Sequence, residues 1–139
     1  MIRKKERISL KKEGNVLIDT SAWVEFFRGT SKTADTVAKL IEIGKASICG
    51  VVTYELVQGA KSDEESSHLS GVLSALPYIE MTSDLWAKAG SISAGLRAKG
   101  ITLPMSDLVI GAIALEHDIE ILTLDTHFAS IPGIKQYHH

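Results

Sequence analysis

Short apolar segments that alternate with helical segments most constrain the fold of this 139-residue chain. Three segments predict buried strands: Asn15 to Asp19, "ASICGV" and "IEILTL". "YIEM" is a weaker strand, and "IPGIKQY" can add a last edge strand. Helical segments of about ten residues or more separate the strands. This alternation predicts an α/β domain of three layers, α/β/α, with a central, mostly parallel sheet of four to five strands.

The first helix is predicted directly after the first strand. Thr20 or Ser21 supplies its N-cap, and Gly29 ends it. A second helix fits Thr33 to Ile43, whose apolar residues share one face. Both helices are therefore expected to pack one side against the sheet.

Later helices carry acids near their predicted starts. The segment from Thr53 predicts a helix with Glu55 in its first turn, and "DEESSHLSGVLSAL" predicts another. Ser83 is the expected cap of a long helix, and Ser106 that of "DLVIGAIALEH", with Asp107 in the first turn. This last helix is apolar all round, which is typical of a helix buried within a domain.

Composition predicts one compact domain without a membrane segment. The chain has 45% apolar and 23% charged residues, and its longest apolar run, Leu108 to Leu115, is too short to cross a membrane. The single Cys49 excludes an internal disulfide framework and a cysteine-based zinc site, and it is expected to be a buried strand residue. We expect a cytoplasmic protein.

Charge is unevenly distributed along the chain. Residues 1–15 carry a net charge of +4 and the remainder −6. The basic residues of this N-terminal extension are Arg3, Lys4, Lys5, Arg7, Lys11 and Lys12. The extension can be a solvated leader or an arm that neutralises nucleic-acid phosphates.

Four acids fall where strands end or helices begin. Asp19 and Asp125 each follow a predicted strand, and Glu55 and Asp107 lie near predicted helix starts. In parallel sheets, ligands bind outside the carboxyl ends of the strands. Each helix acid alone can be an ordinary dipole or capping residue. Their combination predicts one acidic pocket.

An acidic pocket of this kind favours a hard cation. Clustered carboxylates raise one another's pKa unless a positive charge lies between them. Mg²⁺ or Mn²⁺ prefers oxygen ligands and keeps waters for phosphate groups. The sequence therefore predicts a metal site at the edge of the sheet.

Three stretches carry a family resemblance: "VLIDTSAWVEFFRG", "VVTYELVQGA" and "LPMSDLVIGAIALEHDIEILTLDTHF". They resemble motifs of PIN-domain ribonucleases, and most closely the VapC-type toxins of toxin–antitoxin modules. The resemblance runs from about Val16 to Tyr137. It implies a PIN domain over residues 16–137, preceded by the basic extension 1–15.

The resemblance also implies a site and an activity. The acidic, metal-holding pocket comprises Asp19, Glu55, Asp107 and Asp125, with Asp19 and Asp107 as the direct ligands of Mg²⁺ or Mn²⁺. Ser21 and Thr123 match hydroxyl positions that orient a water or a phosphate oxygen, although an N-cap and a plain strand residue are the alternatives. The implied activity is endoribonuclease cleavage that leaves a 5′-phosphate and a 3′-hydroxyl. Implied partners are an RNA substrate, a cognate antitoxin and a second copy of the chain in a homodimer.

Other residues carry weaker predictions. The basic groups that can attract RNA to an acidic pocket are Arg28, Lys32, Lys61, Arg97 and Lys99, for which a solvated surface role is the alternative. His127 lies two residues after Asp125 and can either approach a phosphate or serve as a hydrogen-bonding structural histidine.

Rival functions are less well supported by the residues. A haloacid dehalogenase-type enzyme needs a second Asp where this chain has Ser21, and a nucleotide-binding module needs a glycine-rich loop after the first strand. A receiver domain needs an early pair of adjacent acids. The strongest alternative is a catalytically silent PIN-fold domain that binds RNA or protein without a metal.

Overall fold

The computed structural model describes residues 15–138. Apart from Asn15, the predicted basic extension lies outside the described residues. Within them, four strands form one sheet in the order β3-β2-β1-β4. The strands are Val16–Ile18 (β1), Ala46–Cys49 (β2), Tyr78–Ile79 (β3) and Glu120–Leu122 (β4). All three neighbouring pairs are parallel, which confirms the predicted three-layer α/β/α class.

Six α-helices connect or flank these strands in the part of the chain that the structure describes. They are Thr20–Arg28 (α1), Lys32–Glu42 (α2), Gly50–Gln58 (α3), Asp63–Leu73 (α4), Ser83–Arg97 (α5) and Met105–His117 (α6). A 3-10 helix, Thr126–Ser130, follows β4. Helix α1 packs against α2, and α5 packs against α6. Among the described residues, no helix has the length and apolarity that a membrane span requires.

The N-cap of α1 differs from the predicted one. It is Asp19, whose side chain accepts a hydrogen bond from the Ala22 N–H, and neither Thr20 nor Ser21 takes that role. A carboxylate in the last extended position before a helix is a good acceptor for the free N–H groups of the first turn. The strand-ending acid is thus also the helix cap.

Three other helix starts differ from prediction. Thr82, rather than Ser83, caps α5 by accepting from the Leu85 N–H. Helix α6 begins at Met105 after Pro104, without the predicted Ser106 side-chain cap, since proline fixes the extended backbone that precedes a helix. Helix α3 begins at Gly50.

The earlier start of α3 changes the position of Glu55. Glu55 is the sixth residue of the helix and lies in its second turn, so the prediction that placed it in the first turn is wrong. At this first helical position, a Cβ on Gly50 would lie 2.7 Å from the Tyr78 hydroxyl oxygen. A larger residue at the first helical position would therefore displace the exposed end of the Tyr78 side chain.

The core is built around β1 and α6. All three residues of β1 are buried, and α6 is buried along eight consecutive positions, as its apolar sequence predicts. The C-terminal segment reaches the sheet through a single parallel bridge between Ile121 and Gln136, so the predicted last strand is reduced to one bridge. Its chain crosses α6 at Gly111, where a Cβ would lie 2.8 Å from Ile131 Cδ1.

The sheet order defines where a ligand can bind. The chain runs from β1 outward to β2 and β3 and then returns to place β4 on the opposite side of β1. Strand order therefore reverses between β1 and β4, and crevices in open α/β sheets form at the carboxyl ends of such a strand pair. Asp19 follows β1, and the loop from Thr123 to Asp125 follows β4, at the same edge.

Candidate active site

Asp19 lies at the centre of this edge. Only 4% of its surface is exposed. Its backbone N–H donates to the Leu122 carbonyl of β4 at 3.1 Å, which continues the pairing of the two strands up to the acid. Asp19 Oδ1 accepts from the Ala22 N–H at 3.3 Å. Strand pairing on one side and helix capping on the other therefore fix both the backbone and the side chain.

Two hydroxyl groups hold the Asp19 carboxylate. Ser21 Oγ donates to Oδ1 and Thr123 Oγ1 donates to Oδ2, both at 2.6 Å. The same hydroxyl oxygens accept backbone N–H groups, Ser21 from Leu124 at 3.0 Å and Thr123 from Asp125 at 2.9 Å. These bonds connect α1 to the loop after β4. Both predicted hydroxyl residues thus lie against Asp19 and orient its carboxylate.

Asp107 and Asp125 meet at His127. Asp107 lies in the first turn of α6 and is buried. His127 Nδ1 is 2.9 Å from Asp107 Oδ2 and 3.1 Å from Asp125 Oδ1. The Asp125 carboxylate also accepts the His127 backbone N–H at 2.8 Å and caps the 3-10 helix. One ligand atom from each of the three residues lies within 4.8 Å of the others.

Glu55 is held beside the start of α1 by Thr20. Its Oε1 accepts a hydrogen bond from Thr20 Oγ1 at 2.5 Å, which ties α3 to the start of α1.

Burial, with smaller contributions from the charges of Glu55 and Asp19, raises the pKa of Cys49 to about 11. Cys49 is buried and free, as predicted. The Cys49 thiol therefore stays protonated and neutral.

The pKa shifts identify which acids interact. Burial raises the pKa of Asp19, hydrogen bonds from Ser21 and Thr123 oppose the rise, and the charge of Asp125 adds to it. Burial likewise raises the pKa of Asp107, and the charges of Asp125 and Asp19 add to the rise. Asp19, Asp107 and Asp125 thus form one electrostatic cluster.

The pKa of His127 responds to the same cluster. Its hydrogen bond to Asp107 raises this pKa most, and the charge of Asp125 raises it further. Mutual repulsion among the carboxylates and attraction for the imidazole proton both indicate a locally negative site.

The donor set fits a divalent cation. Asp107 and Asp125 supply carboxylate oxygens close to one another, and the imidazole of His127 adds a nitrogen within the same 4.8 Å limit. Carboxylates suit Mg²⁺ and Mn²⁺, and imidazole suits transition-metal ions. Burial of Asp19 and Asp107 makes an added positive charge favourable, because their charged forms are otherwise poorly solvated.

Thr20 is the site residue that sequence reasoning missed. Its pattern predicts only a capping role, yet its hydroxyl orients Glu55 across 35 positions of sequence. The only sequence signal for this role is that Thr20 directly follows the strand-ending Asp19. The partner, Glu55, lies on α3, and the packing of the fold brings α3 next to Thr20. Arg28, in contrast, pairs with Glu25 at 3.1 Å at the far end of α1.

Comparison with known proteins gives three kinds of similarity. The family model of the PIN domain matches residues 16–134 of this chain. The chain is 33% identical over 124 residues to ribonuclease VapC11 of Mycobacterium tuberculosis, and the alignment covers 86% of this chain and 92% of that relative.

Solved structures share the fold. The DNA-bound VapBC of Salmonella typhimurium superposes with a TM-score of 0.78 at 21% identity, over 88% of this chain and 96% of that chain. A toxin–antitoxin complex from Klebsiella pneumoniae gives a TM-score of 0.71 at 22% identity, over 90% of this chain and 100% of that chain. At sequence identities this low, the structural similarity shows a shared fold and nothing further.

Proposed function

This chain belongs to the PIN-domain family, and from that premise we propose that it is the endoribonuclease toxin of a VapBC-type toxin–antitoxin pair. The observation that carries the proposal is the convergence of Asp19, Asp107 and Asp125 at the reversal of strand order. The similarity to a ribonuclease along nearly the whole domain supports RNA as the substrate.

The proposed site holds Mg²⁺ or Mn²⁺ through the four acids Asp19, Glu55, Asp107 and Asp125. A bound ion of this kind lowers the pKa of a water molecule and neutralises charge on a phosphate. Ser21 and Thr123 keep Asp19 oriented by donating their hydroxyl protons to it. The hydroxyl of Thr20 holds Glu55 in place.

In this proposal the remaining acids act on water. Glu55 and Asp125 are more exposed than Asp19 and can orient the attacking water. Cleavage is expected to leave a 5′-phosphate and a 3′-hydroxyl. We propose that exposed basic side chains attract the RNA phosphates. They are Arg28, Lys32, Lys61, Arg97 and Lys99.

The proposed partners follow from the relatives. A cognate antitoxin is supported by a toxin–antitoxin complex among the structural neighbours, and a homodimer follows from the resemblance to VapC-type toxins. A cytoplasmic location is consistent with a free cysteine, which is typical of reducing compartments.

The deciding experiment replaces Asp19 with Asn. Asn is as good an N-cap as Asp, so the variant keeps the start of α1 while it removes the buried charge. RNA cleavage in Mg²⁺ should be abolished, with unchanged circular dichroism. Asp35→Asn, at an exposed first-turn acid of α2, is the matched control and should cleave RNA at the wild-type rate. Wild-type cleavage by Asp19→Asn would refute the assignment.

Metal binding separates the proposal from a silent RNA-binding or interaction domain. Calorimetric titration with Mn²⁺ should show binding to the wild type that is weaker for Asp19→Asn. Equal heats for the two proteins would favour the silent domain.

A further inference from the structure

His127 occupies an unusual position for a histidine near a set of acids. Its ring nitrogen Nδ1 approaches Asp107 Oδ2 at 2.9 Å and Asp125 Oδ1 at 3.1 Å. The two carboxylates come from α6 and from the loop after β4, elements that are distant in sequence. The imidazole therefore faces the point at which the two oxygens converge.

The backbone of this turn does not need the ring. The His127 N–H is already capped by Asp125 at 2.8 Å, and the neighbouring Phe128, which is buried, anchors the 3-10 helix in the core. The His127 side chain itself is 49% exposed. A side chain that serves packing would be covered, whereas a half-exposed ring aimed at two carboxylates is accessible to a ligand.

Asp19 has a different environment. Each of its carboxylate oxygens accepts a hydroxyl proton at 2.6 Å, and it lies outside the group of three residues whose ligand atoms fall within 4.8 Å. The most compact donor set among the described residues is Asp107, Asp125 and His127, with two oxygens and one nitrogen.

We propose that His127 binds the divalent ion through its imidazole nitrogen, together with Asp107 and Asp125, and gives the site a preference for Mn²⁺ over Mg²⁺. This inference rests on the proposed metal-dependent function. Mg²⁺ strongly prefers oxygen ligands in an octahedral arrangement. Imidazole nitrogen favours transition-metal ions, so one nitrogen ligand shifts selectivity away from Mg²⁺.

The test measures metal binding directly on the whole chain. Mn²⁺ and Mg²⁺ dissociation constants are measured by calorimetry, and the Mn²⁺ complex is examined by pulsed electron paramagnetic resonance for nitrogen coupling. The wild type should show nitrogen coupling and tighter binding of Mn²⁺ than of Mg²⁺. His127→Asn should lose the coupling and bind Mn²⁺ about tenfold more weakly or worse, with a smaller effect on Mg²⁺.

Asn is chosen because its amide can keep the hydrogen bond to a carboxylate. If His127 only positioned Asp107, the Asn variant would retain the wild-type ratio of Mn²⁺ to Mg²⁺ affinity, and that result would overturn the proposal. The matched control is His68→Asn, because the His68 ring contacts Phe27 towards the other end of α1. It should leave both metal affinities and the nitrogen coupling unchanged.

The same samples distinguish this proposal from the proposed function. Cleavage of RNA in Mg²⁺ together with a Mn²⁺ complex that lacks nitrogen coupling would overturn the His127 ligand and leave the ribonuclease standing. Nitrogen coupling without RNA cleavage would support the His127 ligand and count against the ribonuclease. Failure to bind either ion would overturn both.

Discussion

The Asp19 side chain caps α1 and also forms the buried wall of the acidic site. These roles are compatible because a carboxylate has more acceptor capacity than one N–H group requires. Ser21 and Thr123 use the remaining capacity and favour the ionised form. Asp19 therefore stays oriented without a direct positive partner among the described residues.

Thr20 provides the first residue-scale prediction. Thr20→Val removes the hydroxyl that holds Glu55 and keeps the side-chain shape. A hydrogen bond to a charged group contributes about 1.5–3 kcal/mol, so kcat should fall about tenfold or more with a smaller change in KM. Steady-state cleavage of a fluorogenic RNA measures both constants.

Thr20→Ser restores a hydroxyl and should recover most of the activity. Thr36→Val removes a half-buried helix hydroxyl that donates to the Lys32 carbonyl, and it should behave as wild type. Equal activity of Thr20→Val and Thr36→Val would contradict a positioning role for Thr20.

The raised pKa values predict how the metal-free stability depends on pH. The pKa values of Asp19 and Asp107 lie above the ordinary 3.8, so folding favours the protonated carboxyls. The pKa of His127 lies above 6.5, so folding also favours its protonated form. All three groups bind protons more tightly in the folded state, and each contribution is lost as pH rises through the folded pKa.

We therefore expect the free energy of unfolding in a chelator to fall as pH rises from about 4 towards 8. Urea unfolding at a series of pH values measures the slope. Asp19→Asn should flatten it, and added Mn²⁺ should stabilise the protein most at the upper end. A metal-free stability that increases over this range would disagree with the shifts.

At the scale of the element, the start of α5 shows how the fold selects one of two possible capping residues. In α5 two adjacent hydroxyl residues could cap, and the structure selects Thr82, whose backbone is extended and whose side chain accepts from the Leu85 N–H at 3.2 Å. Ser83 is already helical. Which of two adjacent residues caps a helix depends on where the backbone changes from extended to helical. The local sequence does not specify that position.

Substitution of these two residues tests the choice. Thr82→Ala should lower the free energy of unfolding by about 1 kcal/mol, because the cap is lost. Ser83→Ala should change it by less than about 0.5 kcal/mol, because alanine is the better helix former. Chemical denaturation of both variants is sufficient, and a larger loss for Ser83→Ala would mean that the cap is Ser83.

At the scale of the whole molecule, large apolar side chains remain exposed on the single chain. They are Val24, Ile43, Tyr54, Tyr78, Trp86, Met105 and Leu124. Scattered exposed apolar residues are normal, so they do not locate an interface by themselves. They are available for the proposed homodimer and antitoxin contacts.

The homodimer is tested by multi-angle light scattering of the purified chain. We expect twice the 15.1 kDa mass of one chain at micromolar concentration. A single-chain mass across the accessible concentration range would remove the homodimer from the proposal and leave the active-site predictions intact.

The fold class followed from sequence because apolar strands, helical periodicity and turn residues are local properties. The buried α6 and the strand that ends at Asp19 were predictable from residues within ten positions of one another. The four acids were predicted as site residues for the same reason, since each stands next to a recognisable strand or helix signal. Capping choices, the early start of α3 and the reduced C-terminal strand were not predictable in this way.

Tertiary structure decided how the acids are arranged. Sequence placed Asp19, Asp107 and Asp125 near one edge of a sheet, but only the packing of α6 against the loop after β4 brings Asp107 and Asp125 to His127. Only the packing of α3 against α1 gives Glu55 its hydroxyl partner, Thr20. The physical reason is that strand and helix propensities act over a few residues, whereas hydrogen bonds across 20 to 104 positions depend on the completed fold.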